Sequence, residues 1–205
     1  MEYNTEEKEI MLDRELSQLD EFVLDFIDLL DNYVIVFGYV SILLGRSRAT
    51  EDIDLLIPEI NKKEFELLWK KIHKKGFECI NTSKVEDAFD MLKEHAIRFF
   101  KDIPIPNIEF KIIKNDLDKY SFDNKIKVIL KQGDVYISPL ELQICYKLFL
   151  GSEKDLEDAK HLYKLFEQKL NKEKLAYFID KLKINSEFKI IDNWGEDEYR
   201  FRKIE

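Results

Sequence analysis

Residues 34–57, VIVFGYVSILLGRSRATEDIDLLI, constrain the fold of this chain more than any other stretch. The apolar run at residues 33–37 is rich in β-branched residues, which predicts a buried strand. Gly38 ends that strand, and the apolar residues after it predict a helix. The polar loop 46–51 then leads into a second strand, DIDLLI at residues 52–57, which a proline ends. A strand, a helix and a strand in close succession indicate an α/β architecture.

The spacing of apolar residues and the positions of turn residues predict the other elements. An amphipathic helix is expected over residues 5–30, either continuous or broken near Asp20. Asn61 and Glu64 have the spacing of a capping box, which predicts a helix that ends before Gly76. The further expected elements are strands at 77–80, 95–100 and 108–113, a short helix at 85–93, a hairpin of 125–130 with 135–137, and helices at 139–150, 153–167 and 172–182.

These elements predict an α/β (α+β) fold, with a mixed β-sheet flanked by helices and a helical C-terminal part. Residues 1–137 are expected to form the α/β core with its N-terminal helix, and residues 138–205 a helical part packed on that core. The sequence SPLE marks the boundary, with Ser138 as the expected N-cap and Glu141 as its capping partner. The tail around Trp194 predicts no element.

The charge of the chain restricts the classes of partner. It has 33 Lys and Arg against 42 Asp and Glu, for a net charge of -9. Phosphate binding depends on Lys and Arg, so this balance gives no strong DNA-binding signal, although a locally positive cleft is compatible with it. No apolar run reaches the ~18 residues that span a membrane, and the N-terminal residues are acidic. We therefore expect a cytoplasmic protein that does not bind membranes.

The cysteines and histidines do not predict a site. Cys79 and Cys145 are far apart in apolar surroundings, where a cysteine is usually a small core residue. His73, His95 and His161 are not at the spacing of metal ligands. Neither a disulfide framework nor a Cys–His or Ser–His catalytic pair is expected.

Asp52 and Asp54 form the pattern with the clearest chemistry. Alternate residues of a strand point the same way, so both carboxylates are expected on one side of the sheet. Two adjacent carboxylates repel unless a cation lies between them, and at least one of them should then have a raised pKa. Because Mg²⁺ prefers carboxylates together with substrate phosphates and water, the pair is a plausible Mg²⁺ site. Glu109, which alternates with apolar residues in IEFKII, is the candidate third carboxylate.

A second set of candidates concerns phosphate. Gly38 lies where a strand turns into a helix, and a glycine there lets an anion approach the backbone closely. Arg46 and Arg48, in the loop before Asp52, have guanidinium groups suited to phosphate oxygens. Two solvated loop arginines are an equally good interpretation of that pair.

This stretch resembles the signature of the nucleotidyltransferase superfamily, the DNA polymerase β-like fold, and is most similar to the branch of abortive-infection type nucleotidyltransferase toxins. The family pattern is Gly-Gly or Gly-Ser after the first strand, a helix, and then Gly-x-x-Arg-x-Thr/Ser-x-Asp-Ile-Asp. The matching residues here are Gly38, Gly45, Arg48, Thr50, Asp52, Ile53 and Asp54. Phe37 stands where the family has its first glycine, and this departure concerns the phosphate-binding turn.

The C-terminal half carries a second resemblance to the family. Residues 137–162 are similar to its strand, Ser-Pro helix start, helical lysine, and Lys-Asp-x-x-Asp opening of the next helix. The resemblance implies a role in the cleft for Lys147 and Lys154. Asp155 and Asp158 have the alternative role of stabilising the first turn of a helix through its dipole.

The resemblance implies a transferase that moves a nucleotidyl group from an NTP to an acceptor, which is RNA, protein or a small molecule. Asp52, Asp54 and Glu109 would be the catalytic carboxylates and would hold Mg²⁺ or Mn²⁺. The nucleotide and phosphate would be bound by Gly38, Ser41, Arg46, Arg48, Thr50, Lys147 and Lys154. Three alternatives stay open at this point: a catalytically silent nucleotide-binding protein of the same fold, a toxin–antitoxin component, and a scaffold that associates through its N-terminal helix.

Overall fold

A computed structural model of the chain describes residues 1–192, so the tail around Trp194 lies outside the described residues. The chain divides into two compact units, residues 1–138 and residues 139–205. The first unit contains the whole sheet, and the second is helical as far as it is described. This confirms the α/β class with a mixed sheet and a helical C-terminal part.

The strands of the first unit form one mixed sheet. In spatial order the strands are β1-β2-β8-β9-β3-β4-β7-β6-β5. Their bounds are β1 (Glu2–Asn4), β2 (Glu9–Met11), β3 (Val34–Val36), β4 (Asp52–Ile57), β5 (Phe77–Cys79), β6 (Ile97–Lys101), β7 (Ile103–Ile112), β8 (Ile126–Leu130) and β9 (Gly133–Ile137). In the centre of the sheet, β4 is antiparallel to β3 and parallel to β7, while β6 is antiparallel to β7.

The helices of both units begin and end largely where the sequence predicts. In the first unit they are α1 (Gln18–Ile27), α2 (Gly38–Leu43), α3 (Lys62–Lys74), α4 (Val85–Glu94) and α5 (Asp116–Asp123). In the second unit they are α6 (Leu140–Leu150), α7 (Glu153–Phe166), α8 (Lys172–Leu182) and α9 (Asn185–Asp192). The capping box that predicts α3 is present, since Asn61 accepts from the backbone of Glu64 at 3.0 Å. Within residues 1–192, the structure contains no helix long and apolar enough to span a membrane.

The prediction for the N-terminal region is wrong. Residues 5–17 are not helical; strand β2 forms within them and pairs with β1, which immediately precedes them. Strand β2 pairs in parallel with β8, where Ile10 is the partner of Val128. Local apolar spacing cannot reveal a strand whose partner is so distant in sequence. Only α1 remains of the expected helix, so the scaffold alternative loses the long helix on which it rested.

Two smaller expectations also differ from the structure. Pro139 rather than Ser138 is the N-cap of α6, and it provides no side-chain hydrogen bond. Glu141 is buried and accepts a hydrogen bond from the backbone N–H of Asn171 at 2.7 Å, so it does not act in a capping box with Ser138. Helices α5 and α9 were not predicted.

The core on one face of the sheet is aromatic. Phe99 of β6 and Phe110 of β7 have ring centroids 5.7 Å apart, and both rings pack against Phe26 of α1. Trp69 of α3 packs against Phe99 from the same side. Neighbouring residues along a strand alternate between faces, so the polar residues beside these phenylalanines lie on the opposite face.

A closed polar cluster lies at the start of α1. Arg14 donates to both carboxylate oxygens of Asp20, at 2.7 and 3.0 Å. The backbone N–H and hydroxyl of Ser17 and the hydroxyl of Tyr39 also donate to Asp20, each at 2.7 Å. Burial opposes ionisation of Asp20, but these donors outweigh burial and lower its pKa to about 2.

Candidate functional site

A row of side chains crosses the polar face of the sheet. Residues in register on adjacent strands share a face, and the register places Val36, Asp54, Glu109 and Arg98 side by side on β3, β4, β7 and β6. Two acidic residues from strands distant in sequence therefore become neighbours. Arg98 lies at the end of this row, next to Glu109, and forms an ion pair with it at 3.1 Å.

Lys111 joins the two carboxylates. It lies two residues after Glu109 on β7 and so shares its face. Its Nζ is 2.8 Å from Oδ1 of Asp54 and 2.9 Å from Oε1 of Glu109. The same Nζ is 5.8 Å from the centre of the Phe37 ring. Asp54 and Glu109 therefore converge on a single cation, which here is an ammonium group of the protein itself.

The pKa shifts of this cluster follow from burial and charge. Burial raises the pKa of Asp54, the charge and hydrogen bond of Lys111 oppose that shift, and the charges of Glu109 and Asp52 add to it. Burial also disfavours the charged form of Glu109, but Lys111 and Arg98 outweigh it and lower its pKa. The expected rise in the pKa of one carboxylate is therefore present at Asp54, with burial as its main cause and repulsion as a smaller one.

Asp52 of β4 and Asn107 of β7 are partners in the register, two residues before Asp54 and Glu109. They therefore lie on the same face of the sheet as Asp54 and Glu109. Asp52 is half-buried. Asn107 is buried, and its Nδ2 donates to the carbonyl oxygens of Glu51 at 3.0 Å and Pro104 at 3.4 Å. Both contacts are acceptors, so they fix which atom of the amide is nitrogen. Within the described residues, Oδ1 of Asn107 is a buried acceptor without a hydrogen-bond partner.

The turn between β3 and α2 has a backbone conformation that favours glycine. Phe37 has φ 60° and ψ −123°, which costs a non-glycine residue on the order of 1–3 kcal/mol. Position 37 is where the family pattern has a glycine, so the glycine-type backbone is present without the glycine. The Phe37 ring packs against an apolar cluster of Val34, Val36 and Leu56 that holds it in place.

Arg48 and Thr50 lie over Gly38. A Cβ atom built at Gly38 would be 3.0 Å from Nη2 of Arg48 and 3.5 Å from Oγ1 of Thr50. Nη2 of Arg48 donates to the Gly38 carbonyl oxygen at 3.4 Å, and Oγ1 of Thr50 donates to the carbonyl oxygen of Asp52 at 3.0 Å. The structure thus brings Gly38, Arg48 and Thr50 next to the start of β4, as the resemblance implies.

Ser41 and Arg46 are placed less directly. Ser41 is completely buried within α2, and its Oγ has no hydrogen-bond partner among the described residues. The backbone of Arg46 donates to the carbonyl oxygen of Ser41 at 2.9 Å, and its side chain is half-buried. A phosphate can reach Ser41 only after a local opening, so its predicted role stays a prediction.

The helical unit contains its own ion cluster. Lys147 is buried, and its Nζ is 2.6 Å from Asp155 and 3.1 Å from Asp158. Lys154 is exposed at the start of α7. A phosphate that bound Lys147 would compete with these two buried carboxylates. The predicted phosphate-binding roles of Lys147 and Lys154 stay predictions.

The donor set for a metal is partly assembled. Within residues 1–192 there is no group of three His, Cys, Asp or Glu side chains arranged to hold a metal ion. Two carboxylates nevertheless bind one cation, and Asn107, whose Oδ1 has no partner among the described residues, is two residues from Glu109 on the same face of β7. Carboxylate and amide oxygens are the ligands that Mg²⁺ and Mn²⁺ prefer, so the chemistry of the donors fits a divalent metal once Lys111 moves away.

Three residues of this site were not identified from the sequence: Lys111, Arg98 and Asn107. Lys111 and Asn107 lie two residues after and two residues before Glu109, so alternation along the strand places all three on one face. That signal was available once Glu109 was chosen. Arg98 has no such signal, because the pairing of β6 with β7 depends on the fold.

Comparisons with known proteins give only distant structural likenesses. No family model and no curated protein matches the chain. Among solved structures, the chain is similar to an antigenic nucleotidyltransferase-like protein from Paracoccidioides brasiliensis, with 19% identity and a TM-score of 0.49 over 79% of this chain and 89% of that chain. This likeness is too distant to assign a function.

Proposed function

We propose that this protein is a divalent-metal-dependent nucleotidyltransferase of the DNA polymerase β-like fold, acting on an NTP. The observation that supports the proposal most is the convergence of Asp54 and Glu109 on one cation, with Asp52 beside them. The resemblance in residues 34–57 and the position of Arg48 over Gly38 support it independently.

Each residue has a role that follows from its position. Asp54 and Glu109 would hold Mg²⁺ or Mn²⁺, with Asp52 as the third carboxylate. A metal bound there would activate the attacking oxygen and neutralise the triphosphate. Arg48 would bind phosphate oxygens beside Gly38, where a side chain would block the approach. Thr50 fixes the backbone of Asp52 through its hydrogen bond.

The acceptor and the biological setting are also proposals. We favour RNA or protein as the acceptor and a role as a toxin–antitoxin component in the cytoplasm, as the resemblance to abortive-infection nucleotidyltransferases implies. The net charge of -9 favours an acceptor bound at a local site over one bound along a broad basic face.

A catalytically silent nucleotide-binding protein is the second candidate. The position of Lys111 favours it, because an ammonium group already neutralises Asp54 and Glu109. The strained Phe37 in place of a glycine also favours it. A catalytically silent protein would bind an NTP without transferring its nucleotidyl group to an acceptor.

The decisive experiment is a transfer assay. The protein is incubated with each labelled NTP, Mg²⁺ or Mn²⁺, and total cellular RNA or protein, and the labelled acceptor is identified. We expect transfer by the parent protein and a loss of at least about 100-fold in Asp54→Asn, because the variant lacks a metal-binding carboxylate. The matched control is Asp90→Asn, whose side chain is 76% exposed, and this variant should transfer normally. NTP binding without label on any acceptor would instead support the silent protein.

A further inference from the structure

The position of Lys111 points to a property of the site beyond transfer itself. Its ammonium lies within 3 Å of one oxygen of Asp54 and one of Glu109. A divalent ion held by Asp54 and Glu109 would draw on these same carboxylates. The Lys111 ammonium already neutralises both carboxylates, so a metal that bound them would have to compete with it.

We propose that Lys111 is an exchangeable counter-ion that competes with the divalent metal for Asp54 and Glu109 and sets the metal affinity of the site. This inference rests on the proposed function for its choice of ligand. Without metal, Lys111 neutralises the carboxylates and removes most of their repulsion. When the metal binds, Lys111 leaves and its ammonium becomes available to another anion.

The surroundings of Lys111 allow this exchange. Its side chain is 28% exposed, so the ammonium has a route to solvent. The Phe37 ring lies near the same Nζ, with its centroid 5.8 Å away, and the face of an aromatic ring attracts a cation. A displaced Lys111 would remain close to an incoming triphosphate, whose charge favours an ammonium nearby.

Asn107 is a second observation that points to a ligand here. Its Oδ1 is buried without a hydrogen-bond partner among the described residues, whereas its Nδ2 is fixed by two carbonyl oxygens. A buried acceptor without a donor is unfavourable. Lys111 does not satisfy it, so the acceptor is available to a further group. A divalent ion or its bound water would supply that group.

The test is a Mn²⁺ titration of the full chain, followed by electron paramagnetic resonance of the free ion. In Lys111→Met the competing charge is removed, so Mn²⁺ should bind at least about 10-fold more tightly than in the parent. Lys127→Met is the matched control: Lys127 is 31% exposed and also pairs with two acidic residues, Glu9 and Asp134. Its Mn²⁺ affinity should equal that of the parent. Lys111→Gln removes the same charge with a polar side chain and serves as the second variant if Lys111→Met does not fold.

The outcomes separate this inference from the proposed function. Equal Mn²⁺ affinity in the parent and both Lys111 variants would overturn the competition, while a loss of binding in Asp54→Asn would still support the metal site. Similar gains in the Lys111 variants and in Lys127→Met would overturn it too, as a general effect of charge. The absence of Mn²⁺ binding in every variant would overturn both proposals. Tighter Mn²⁺ binding in the Lys111 variants, without nucleotidyl transfer by the parent, would support the competition. It would contradict the proposed transferase activity.

Discussion

Two clusters of the sheet unit place an aspartate next to a cation, and they have opposite electrostatics. Asp20 accepts hydrogen bonds from Arg14, Ser17 and Tyr39, and its pKa is lowered to about 2. Asp54 has Lys111 as its hydrogen-bond donor and two other carboxylates nearby, and its pKa is raised. The first carboxylate is more stable as an ion in the folded protein than in water, and the second is less stable.

This difference distinguishes a carboxylate that serves the fold from one that serves a ligand. Enough donors around a buried carboxylate make it a source of stability. A buried carboxylate with too few donors costs stability, and such a residue is typical of sites where function decides the residue. Asp20 belongs to the first kind, and the proposed function places Asp54 in the second.

The largest expected effect is on the fold. Asp20→Ala leaves Arg14 and the buried Tyr39 hydroxyl without their acceptor, so the free energy of unfolding should fall by about 3 kcal/mol. Urea denaturation measures the loss. Asp13→Ala is the control, because Asp13 is 91% exposed and should matter little. A similar small loss in both variants would remove the distinction between the two clusters.

The next effect concerns pH. The folded pKa of Asp20 is lowered from 3.8 to about 2, so its stabilisation is present above pH 4 and is lost as the pH falls towards 2. The full contribution is about 2 kcal/mol. The difference in unfolding free energy between the parent and Asp20→Asn should therefore shrink across that range.

For Asp54 the sign is reversed: its raised pKa means that the cost of ionisation is relieved as the pH falls through the folded pKa. Denaturation curves from pH 7 to 2 for the parent, Asp20→Asn and Asp54→Asn test both signs.

A smaller effect is expected at the turn next to Asp54. Gly38→Val forces the Arg48 guanidinium to move, because a Cβ there lies 3.0 Å from Nη2. We expect a loss of stability of about 1 kcal/mol and a loss of NTP affinity of about 10-fold. Calorimetric titration with NTP and Mg²⁺ measures the affinity. Gly133→Val, which crowds Leu24 in another part of the sheet, is the control and should lose stability alone. A proportionate loss in both quantities would make Gly38 a structural glycine.

The smallest expected change is in the stability of Asp54→Asn without metal. The substitution removes a carboxylate whose ionisation is unfavourable, so the melting temperature should stay the same or rise. The corresponding gain in the free energy of unfolding is at most roughly 0.5 kcal/mol. The same variant should lose the rise in melting temperature that Mg²⁺ with NTP gives the parent. A clear loss of stability together with no ligand effect in the parent would place Asp54 in the same class as Asp20.

The sequence predicts those parts of the fold whose signals are local. Strand β4 and the N-cap Asn61 are found where expected, because alternation and capping depend on neighbouring residues. The N-terminal strands were missed, since β2 lies between β1 and the distant strand β8, and the pairing with β8 leaves no local signal. Apolar spacing there imitates a helix.

The candidate site shows the same difference between features with a local sequence signal and features that depend on long-range pairing. Asp52 and Asp54 follow from one strand, and Glu109 from alternation on another, but their proximity depends on the pairing of β4 with β7. The ion pair of Lys111 with Asp54 and the hydrogen bond of Tyr39 to Asp20 depend on side chains from separate elements. No local pattern contains them.

The pairing of β2 with β8 also determines the order in which the sheet can be completed. Lys8, just before β2, donates a hydrogen bond to Asn124, and these residues are 116 positions apart. During synthesis, the first strands leave the ribosome long before the strand beside which they will lie. Closing so long a loop is slow and costs chain entropy, so it follows the local contacts of the central strands. The N-terminal segment is thus made first and docks late, and until then β8 presents an open edge to other chains.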